Sequence, residues 1–547
     1  MLLEPLDLAI FIGYCLLIIG MGLFVSREKK GHIKNSSDYF LASKALPWWA
    51  VGASLIASNI SAEQFIGMSG SGFALGLAIS TYEWMAAATL LVVAIFFLPI
   101  YMKKGIYTMP GFLLDRYDSR VRTTMAIFWL LLYVFVNLTS VLYLGALSLN
   151  TILNVPLVYG IIGLALFAML YSIYGGLKAV AWTDVVQVVF LIVGGLATTY
   201  IALQMVGSGD AWEGLGLLRR EASDHFSMIL SKGEMMIPDG KGGTRDAYLD
   251  LPGISVLVGG MWITNLSYWG FNQYITQRAL AAKNLDEAQK GMIFAGFLKL
   301  LMPLIVVIPG IAAYVIVENG IDVGFIESMK DPITGLTKSD RAYPTLLQLL
   351  PVGLKGLAFA ALTAAIVSSL ASMANSTSTI FTMDIYKKYF GQDASESKQV
   401  RVGRITAAVA FLVAAIVAPA LGGLDQAFQF IQEYTGFISP GVFAIFFFGV
   451  FWKKTTSNAA LVGAALSIPL SVVLKIAFPD FPFIDRMGVV FLILAALMIA
   501  ISLIEGKGKD HVNSIEINKD LFKTSTGFKI GAFIITGIIA ALYIVFW

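Results

Sequence analysis

The chain has 547 residues, of which 57% are hydrophobic and only 13% are charged, and its net charge is +3. A soluble protein carries about 25% charged residues, so this composition indicates a polytopic membrane protein and excludes one that binds nucleic acid. The single cysteine, Cys15, excludes a disulfide framework and a cysteine metal site. The sequence shows no nucleotide-binding loop, zinc protease motif or nucleophile–base set, so we do not expect an enzyme.

Fourteen apolar stretches follow one another along the chain, each long enough to cross a bilayer as a helix. The first is followed by Arg27 and two lysines and lacks a small-residue cleavage site, so we expect an anchor helix rather than a removed signal peptide. The predicted fold class is an all-α polytopic membrane protein with about 14 transmembrane helices, at approximately 6–25, 48–72, 77–101, 123–152, 157–174, 179–205, 254–275, 291–317, 354–383, 402–421, 426–451, 457–478, 489–504 and 528–547.

The loops between these spans test the number of spans, because Lys and Arg collect on the cytoplasmic side of a membrane. With fourteen spans, every basic cluster falls on that side, namely Arg27–Lys44, Lys103–Arg122, Lys178, Arg278–Lys290, Lys387–Arg404, Lys453–Lys454 and Lys507–Lys529. Both termini are then predicted to face outside, together with two long polar segments at about 206–253 and 318–353.

The second span carries a polar interruption near its middle, from Ser58 to Gln64. Polar groups in hydrocarbon need a partner or a water-filled cavity, so we expect a broken helix whose freed carbonyls and amides hold an ion or a solute. The seventh span has a similar interruption that begins at Asn265, and two spans further on in each half, 137–140 corresponds to 375–378. An offset of five spans inverts the second copy, unless these short polar matches arose by chance.

We therefore divide the chain into five parts whose core is two inverted five-helix units. The parts are an N-terminal extra helix with a cytoplasmic loop (1–47), the first unit (48–205), an extracellular loop (206–253), the second unit (254–451, including 318–353) and three C-terminal helices (452–547). The transport site is expected at mid-membrane, where the broken first helix of each unit meets its neighbours.

Among the charged residues inside apolar spans, Glu83 in the third and Lys299 in the eighth are candidates for a functional role. Each could lie at a helix end and extend to water, but a pair would offset both desolvation costs and would offer an acceptor and a donor to a polyol. Amides at Gln64, Asn265 and Gln432 supply further donors and acceptors. This set suits a sugar, whereas a charged amino acid would require an unpaired opposite charge.

Aromatic residues lie close to these polar residues in the sequence, at Tyr82, Tyr268, Trp269 and Phe428. An aromatic face can stack on the apolar face of a sugar ring and exclude water. Aromatic residues in membrane helices more often pack in the core or anchor at the interface, so this alternative stays open.

The ninth span offers an oxygen-rich site for a small cation. Ser368 and Ser369 are adjacent in it, and a broken second span would free the carbonyls of Ala57 and Ile60. Hard cations prefer oxygen ligands, and the small number of charges nearby indicates a monovalent ion. The serines could instead bond to their own helix, and Asp184 could either attract the ion or cap a helix N-terminus.

The chain resembles the solute:sodium symporter family, and within it the bacterial sodium/sugar symporters, over nearly its whole length. The strongest matches are SLIASNISAEQFIGMSGSG, SIYGGLKAVAWTDVVQ, YWGFNQYITQRALAAK, FAALTAAIVSSLASMANST and FQFIQEYTGFISPG. The resemblance implies a LeuT-like five-plus-five inverted repeat within fourteen helices, a bacterial inner membrane as the location, and one sodium ion carried with each sugar.

The resemblance also implies roles for individual residues. The sugar would be hydrogen-bonded by Gln64, Glu83, Asn265, Lys299 and Gln432. Tyr268 would be the inner gate, and the outer gate would consist of Met68, Tyr82 and Phe428. One sodium ion would bind the carbonyls and hydroxyls of Ala57, Ile60, Ala365, Ser368 and Ser369, while Asn59 would support the site and Asp184 would lie on the ion's exit path. Ala86 replaces an expected sugar-contacting serine and Ser267 an expected tyrosine, which leaves the preferred hexose open.

These observations lead to the hypothesis of sodium-coupled secondary active import of a hexose, galactose or glucose, by alternating access. The partners are the hexose and the lipid bilayer, with no nucleic acid, and the oligomeric state is left open. The nearest alternative is another cargo for the same fold, such as an inositol, a sialic acid or an amino acid. A channel or a membrane sensor is a more distant alternative, because the cytoplasmic loops are too short for a sensor's output domain.

Overall fold

The computed structural model describes residues 3–25, 44–106, 108–239, 242–332, 334–423 and 426–547. These residues are helical apart from connections and one small hairpin. The predicted cytoplasmic loop after the first span falls largely on 26–43 and so lies outside the described residues, as do the side chains of 171 and 173–179, including Lys178.

In the N-terminal half, the helices follow the apolar stretches of the sequence. They are α1 (Pro5–Val25), α2 (Trp48–Asn59), α3 (Ser69–Leu75), α4 (Thr81–Phe96), α5 (Leu98–Lys104), α6 (Met109–Arg116), α7 (Ser119–Leu131), α8 (Thr139–Leu153) and α9 (Leu157–Val206). A π-helical turn at Glu63–Met68 leads into α3, a 3-10 turn at Gly76–Ser80 leads into α4, and a second π-helical turn at Leu132–Leu138 joins α7 to α8.

The polar segment predicted at 206–253 separates the two halves. It holds α10 (Ala211–Glu221) and two antiparallel strands, β1 (Met236–Pro238) and β2 (Thr244–Asp246). The C-terminal half then consists of α11 (Ser255–Val258), α12 (Gly260–Phe271), α13 (Gln273–Leu280), α14 (Leu285–Glu318), α15 (Val323–Met329), α16 (Ala342–Leu347), α17 (Leu354–Ile380), α18 (Lys387–Tyr389), α19 (Glu396–Val417), α20 (Ala427–Thr435), α21 (Ser439–Phe451), α22 (Ser457–Ala477), α23 (Phe483–Gly506) and α24 (Thr526–Val545).

Two of the helices are broken where the sequence places amides. After α2 the backbone becomes extended at Ile60 (φ −75°, ψ 101°), inside the predicted interruption. After α12 it becomes extended at Asn272 (φ −80°, ψ 126°). The second break lies at Asn272, within the predicted interruption that begins at Asn265. Asn265 itself stays inside α12, where its side chain donates a hydrogen bond to the Met261 carbonyl one turn earlier, at 3.2 Å.

Ten helices within the described ranges are long and apolar enough to cross a membrane, and α20 with α21, bent by 44° at the break between them, would be an eleventh. The chain is therefore a multi-pass helical membrane protein, as predicted. The other three predicted spans fall on the two broken helices and on the first part of α9.

Helix α9 joins two predicted spans, because its 50 residues form one uninterrupted helix. Such a helix is about 75 Å long, more than twice the ~30 Å of a hydrocarbon core. Its two apolar stretches, Leu157–Leu170 and Val180–Val206, correspond to the two predicted spans at 157–174 and 179–205.

The centre of the bundle is α17, whose described side chains from Ala358 to Ile380 are all buried. It packs against α1, α2 and α9, while α14 packs against α2, α3 and α4. The contact between α14 and α3 is close, because a Cβ at Gly310 would lie 2.2 Å from the Ser69 carbonyl oxygen. Both α14 and α17 are thereby held beside the break after α2, where the functional side chains lie.

Candidate substrate and ion site

One cavity collects most of the residues that the sequence predicted to bind cargo. It lies at the break after α2, between α4, α12, α14 and α20, and all five predicted substrate ligands line it. Its lining includes Asn59, Gln64, Tyr82, Glu83, Asn265, Tyr268, Lys299, Phe428 and Gln432. Met68 is fully buried but does not line the cavity.

The predicted pairing of Glu83 with Lys299 is present. Glu83 lies in the first turn of α4 and Lys299 near the middle of α14, and the Lys299 Nζ lies 2.5 Å from the Glu83 Oε2. The ammonium also donates to the Asn59 side-chain oxygen and lies 5.1 Å from the centre of the Trp269 ring. Both charged side chains are almost completely buried, so neither extends to water. The pair therefore presents one acceptor and one cation to the cavity.

The phenol of Tyr268 connects the two broken helices. Its oxygen accepts hydrogen bonds from the Asn59 Nδ2 at 2.9 Å and from the Tyr274 hydroxyl at 2.6 Å. Asn59 is the last residue of α2, and Tyr274 lies in the first turn of α13. A displacement of Tyr268 would therefore release both breaks at once, which is a suitable property for a gate.

The three amides have different partners. The Gln64 side-chain oxygen accepts a hydrogen bond from the Ser61 backbone N–H at 3.1 Å, and Asn265 donates to a carbonyl of its own helix. The Gln432 side chain is half-buried on α20 and makes no hydrogen bond among the described residues. Each amide therefore keeps donor or acceptor capacity for a cargo hydroxyl.

Two aromatic rings meet in the lining of the cavity. The rings of Tyr82 and Phe428 meet edge-to-face, with their centroids 5.1 Å apart. Phe428 packs closely against the π-helical turn Glu63–Met68, because a Cβ at Gly67 in that turn would lie 3.1 Å from the Phe428 Cβ. The cavity volume is about 40 Å³, which is room for roughly three water molecules at the ~10–15 Å³ that each needs. This space is therefore too small to hold a hexose.

The cavity also contains residues that the sequence reasoning did not assign to the site, namely Glu63, Thr264 and Thr435. Glu63 is 5% exposed, and its Oε1 atom is buried without a hydrogen-bond partner in the part of the chain that the structure describes. The only sequence signal for Glu63 was its place inside the polar interruption of the second span.

The predicted ion site lies on the other side of the break after α2. The Ser369 hydroxyl of α17 lies 3.4 Å from the carbonyl oxygens of both Ala57 and Ser58. Because α2 ends here, its last carbonyls have no partner within the helix and can accept from a hydroxyl or bind a cation. Ile60 and Ala365, the other predicted carbonyl ligands, are buried to within 1%. The arrangement supplies oxygen ligands from two helices.

Asp184 is connected to the same place by two hydroxyl groups. The Ser54 hydroxyl donates to its Oδ2 at 2.6 Å, and the Ser368 hydroxyl donates to its Oδ1. The Arg278 guanidinium, which donates to the Ser58 hydroxyl at 3.0 Å, is close enough to interact electrostatically with this carboxylate. Asp184 therefore does not cap a helix N-terminus but lies in the interior of α9, beside α2 and α17.

Comparison with known proteins accounts for this arrangement. The sequence model of the Sodium:solute symporter family matches residues 39–466. The chain belongs to the sodium:solute symporter family. It is therefore a transporter and not an enzyme, and sodium is the ion to which the family couples transport.

Several curated relatives of this symporter are similar over most of its length. A sodium/glucose cotransporter from Vibrio parahaemolyticus is 53% identical over 550 residues, covering 100% of this chain and 99% of that protein. A sodium/myo-inositol cotransporter 2 from Sus scrofa is 36% identical and covers 86% of this chain and 70% of its own length. Among solved structures, a Na+-coupled sialic acid symporter in a substrate-bound outward-open state has a TM-score of 0.76 at 21% identity, with 92% of this chain and 98% of that chain covered. That likeness shows the fold.

Proposed function

We propose that this symporter imports a hexose, galactose or glucose, together with sodium by alternating access. The observation that carries the proposal is the cavity beside the broken α2, in which an ion pair, amides and aromatic rings surround one space. Groups of these kinds bind the hydroxyls and the apolar face of a sugar. The relative from Vibrio parahaemolyticus, a sodium/glucose cotransporter, supports a hexose as the cargo.

In this proposal the five cavity residues predicted from the sequence hydrogen-bond the sugar, namely Gln64, Glu83, Asn265, Lys299 and Gln432. Tyr268 is the inner gate, and Met68, Tyr82 and Phe428 form the outer gate. Sugar hydroxyls replace the local hydrogen bonds that Gln64 and Asn265 make in the closed cavity. Since exchanging one hydrogen bond for another changes the free energy little, these local bonds do not oppose sugar binding strongly.

The sodium ion is proposed to bind between α2 and α17. Its ligands are the carbonyls of Ala57, Ile60 and Ala365 and the hydroxyls of Ser368 and Ser369, with Asn59 as a support and Asp184 on the exit path. An ion here holds the end of α2 against α17 and so keeps the sugar residues of the same break in place. The sodium gradient drives the cycle, and sodium is coupled to it because sodium binds the outward-open state better than the inward-open one.

The architecture is proposed to be a LeuT-like inverted repeat within fourteen spans, with the five parts predicted from the sequence. The two helix breaks, at Ile60 and Asn272, fall on the first helices of the two units. π-Helical turns in the third helices, at Leu132–Leu138 and Phe381–Tyr386, add a second correspondence. Both termini are placed outside a bacterial inner membrane by the positions of the basic loops.

An inositol is the main alternative cargo, because the Sus scrofa relative is a sodium/myo-inositol cotransporter and an inositol is also a polyol. A sialic acid or an amino acid ranks lower, since its carboxylate needs an unpaired cation and Lys299 is paired with Glu83. A channel ranks lower again, because the chain belongs to a family of sodium:solute symporters.

Uptake into proteoliposomes tests the proposal. Labelled galactose, glucose and myo-inositol are supplied separately, with sodium or potassium outside. Accumulation of a hexose above equilibrium with sodium alone is the expected result. Accumulation of inositol instead would assign the alternative cargo, and equilibration that does not need sodium would contradict symport.

Position 86 tests which hexose the cavity prefers. Ala86 lines the cavity on the same face of α4 as Glu83, one turn further along. Replacing Ala86→Ser adds a hydroxyl that can bond the sugar, which is worth about 1 kcal/mol or roughly fivefold in affinity. The ratio of half-saturating galactose to glucose in the variant and the natural chain shows which sugar gains.

Ser369 tests the ion site. Replacing Ser369→Ala removes a sodium ligand, and a hydrogen bond to a charged group contributes about 1.5–3 kcal/mol, so half-saturating sodium should rise at least about tenfold. Thr377→Ala is the matched control, because its buried hydroxyl bonds back to the Met373 carbonyl of the same helix at 2.8 Å. Equal sodium dependence in both variants would remove Ser369 from the ion site.

A further inference from the structure

Glu63 is a buried carboxylate to which the proposed function assigns no role, although its neighbours have one. It begins the π-helical turn three residues beyond Ile60, and it lines the cavity. Its backbone N–H donates to the Ser61 hydroxyl at 3.1 Å, but its Oε1 is buried without a partner. A partly unsatisfied carboxylate in such a place is costly and therefore requires an explanation.

Its charge also lacks a partner among the described residues. Five charged side chains line the cavity or hydrogen-bond to the serines of the ion site, namely Glu63, Glu83, Asp184, Arg278 and Lys299. Lys299 is paired with Glu83, and Arg278 interacts with Asp184. Glu63 is the carboxylate left over, and with three carboxylates against two cations the group as a whole carries one negative charge.

We propose that Glu63 supplies the negative charge that one sodium ion neutralises, so that the loaded symporter crosses the membrane without net charge and the empty one returns with a charge of about −1. The inference rests on the proposed function. It makes Glu63 a positioning residue for the ion and not a ligand of it. The field of a buried carboxylate acts over several ångströms where the effective dielectric constant is about 20 rather than 80.

The position of Glu63 explains why ion and sugar would be coupled through it. It follows the carbonyls proposed to bind sodium and immediately precedes Gln64, which is proposed to bind the sugar. The hydroxyls of Tyr268 and Tyr274 are close enough to interact electrostatically with its carboxylate. Without sodium, the uncompensated charge lies among the residues that form the sugar site and the inner gate.

Membrane voltage provides the test, because it acts only on steps that move net charge. One elementary charge crossing about 100 mV changes an equilibrium by about 50-fold. Sugar exchange, measured with sodium and sugar on both sides, involves only the loaded carrier, whereas net uptake also needs the return of the empty one. In the natural protein, a negative-inside potential should accelerate net uptake several-fold and should change exchange by less than about twofold.

Removing the charge of Glu63 should make the movement of the loaded carrier, rather than the return of the empty one, depend on voltage. In Glu63→Gln the loaded carrier would carry +1, so exchange itself should accelerate several-fold with a negative-inside potential. Glu63→Asp keeps the charge and should behave like the natural protein. Exchange in Glu63→Gln that stays independent of voltage, or exchange in the natural protein that depends on it, would overturn the proposal.

A second measurement covers a Glu63→Gln variant that folds but transports too slowly to assay. Thermal stability is compared in sodium and in potassium at matched ionic strength. Sodium should raise the stability of the natural protein and of Glu63→Asp, and it should raise that of Glu63→Gln much less. Equal sodium-dependent shifts in all three would contradict the proposal.

A proton on Glu63 is the remaining way to balance the charge. The test is uptake driven by an acid-outside pH gradient in the complete absence of sodium. If such uptake occurs and is lost in Glu63→Gln, a proton rather than sodium neutralises Glu63, and the inference is overturned. Failure of this inference can be told from failure of the proposed function. The same assay measures sodium-driven hexose accumulation by the natural protein, and that result tests the proposed function alone.

Discussion

The ammonium of Lys299 is buried between three groups from three different helices: the Glu83 carboxylate, the Asn59 side-chain oxygen and the Trp269 ring. A cation at this depth is tolerated because these partners replace its water. The same contacts leave the second oxygen of Glu83 available to a cargo. At the scale of single residues, the site is therefore an internally compensated pair to which a neutral polyol can bind without displacing a charge.

If Glu83 and Lys299 form a pair, the losses of unfolding free energy in their single variants should not add up in the double variant. Glu83→Gln or Lys299→Gln alone leaves an uncompensated buried charge, so each should lower the free energy of unfolding by about 3–5 kcal/mol. The double variant removes both charges and should be more stable than either single variant. Unfolding of the purified protein in detergent, followed by tryptophan fluorescence, measures all four. Losses that simply add would show that the two side chains do not form a pair.

At the scale of elements, the break after α12 is held by a tyrosine from another helix. The Tyr133 hydroxyl donates to the Asn272 side-chain oxygen and accepts from the Gln273 backbone N–H at 3.0 Å. Tyr133 stands in the π-helical turn between α7 and α8. It thus satisfies an orphan N–H at the start of α13 and fixes the position of the break.

Replacing Tyr133→Phe should therefore destabilise the fold and slow transport. Two buried groups lose their partner, each at about 1–3 kcal/mol. Tyr101→Phe is a matched control, because the Tyr101 hydroxyl is also buried but has no hydrogen-bond partner among the residues that the structure describes. Thermal unfolding and uptake rates of the two variants should differ clearly. Similar losses in both would show that the hydroxyl of Tyr133 does not hold the break.

The polar segment at 206–253 is a second element whose attachment can be tested. His225 is buried against the turn before α4, where Gly76 has φ +67° and a Cβ would lie 2.3 Å from the His225 carbonyl oxygen. Its Nε2 bonds the Phe73 carbonyl at 3.1 Å, and its ring stacks on Tyr314. Burial lowers the pKa of His225 to about 4, although that hydrogen bond and the nearby Asp224 act in the opposite direction.

This lowered pKa predicts a pH dependence of stability. The unfolded chain binds the proton near pH ~6.5 and the folded one only near pH ~4, so stability should fall as the pH drops between these values, by up to about 3 kcal/mol. Thermal unfolding of the natural protein and of His225→Gln across this range measures the effect. The variant should show a smaller loss, and parallel curves would contradict the role of His225.

At the scale of the whole molecule, the two proposed gates line the same cavity from different helices. The outer rings, Tyr82 and Phe428, are buried at 6% and 1% exposure. Tyr268 is half-buried and bonds to both breaks. Opening one side while the other stays closed is the requirement for alternating access, and this separation of the gates makes it feasible.

Cysteine labelling tests orientation and gating together, because the chain has a single natural cysteine, Cys15, which Cys15→Ala removes. With a membrane-impermeant thiol reagent outside intact cells, Trp212→Cys should be labelled with or without sodium, and Val512→Cys should not be. Both positions are well exposed. Ala86→Cys, in the cavity, should be labelled faster in sodium than in potassium and should be protected by the sugar.

The outcomes separate two questions. Labelling of Val512→Cys from outside would contradict the proposed placing of the termini and the basic loops. Sodium-independent labelling of Ala86→Cys, with the other two positions behaving as expected, would leave the orientation intact but would contradict sodium's preference for the outward-open state.

The sequence by itself determined that this is a multi-pass helical protein with broken helices, and it identified the residues that line one cavity. These features could be predicted because they are local: a long apolar run requires a helix, and a polar group within it requires a partner. Gln64, Glu83, Asn265, Lys299 and Gln432 were all recognisable as polar residues in apolar spans. The LeuT-like repeat, the fourteen spans and the sodium ligands stay predictions.

Only the tertiary structure decided which partner each polar group has. Glu83 and Lys299 are 216 residues apart, and the break at Asn272 is set by a tyrosine 139 residues away. The place of the second break could not be predicted, because several amides in that span compete and a distant hydroxyl selects one. For the same reason the sequence did not show that Glu63 would be the carboxylate left without a cation, since a charge is balanced in space and not along the chain.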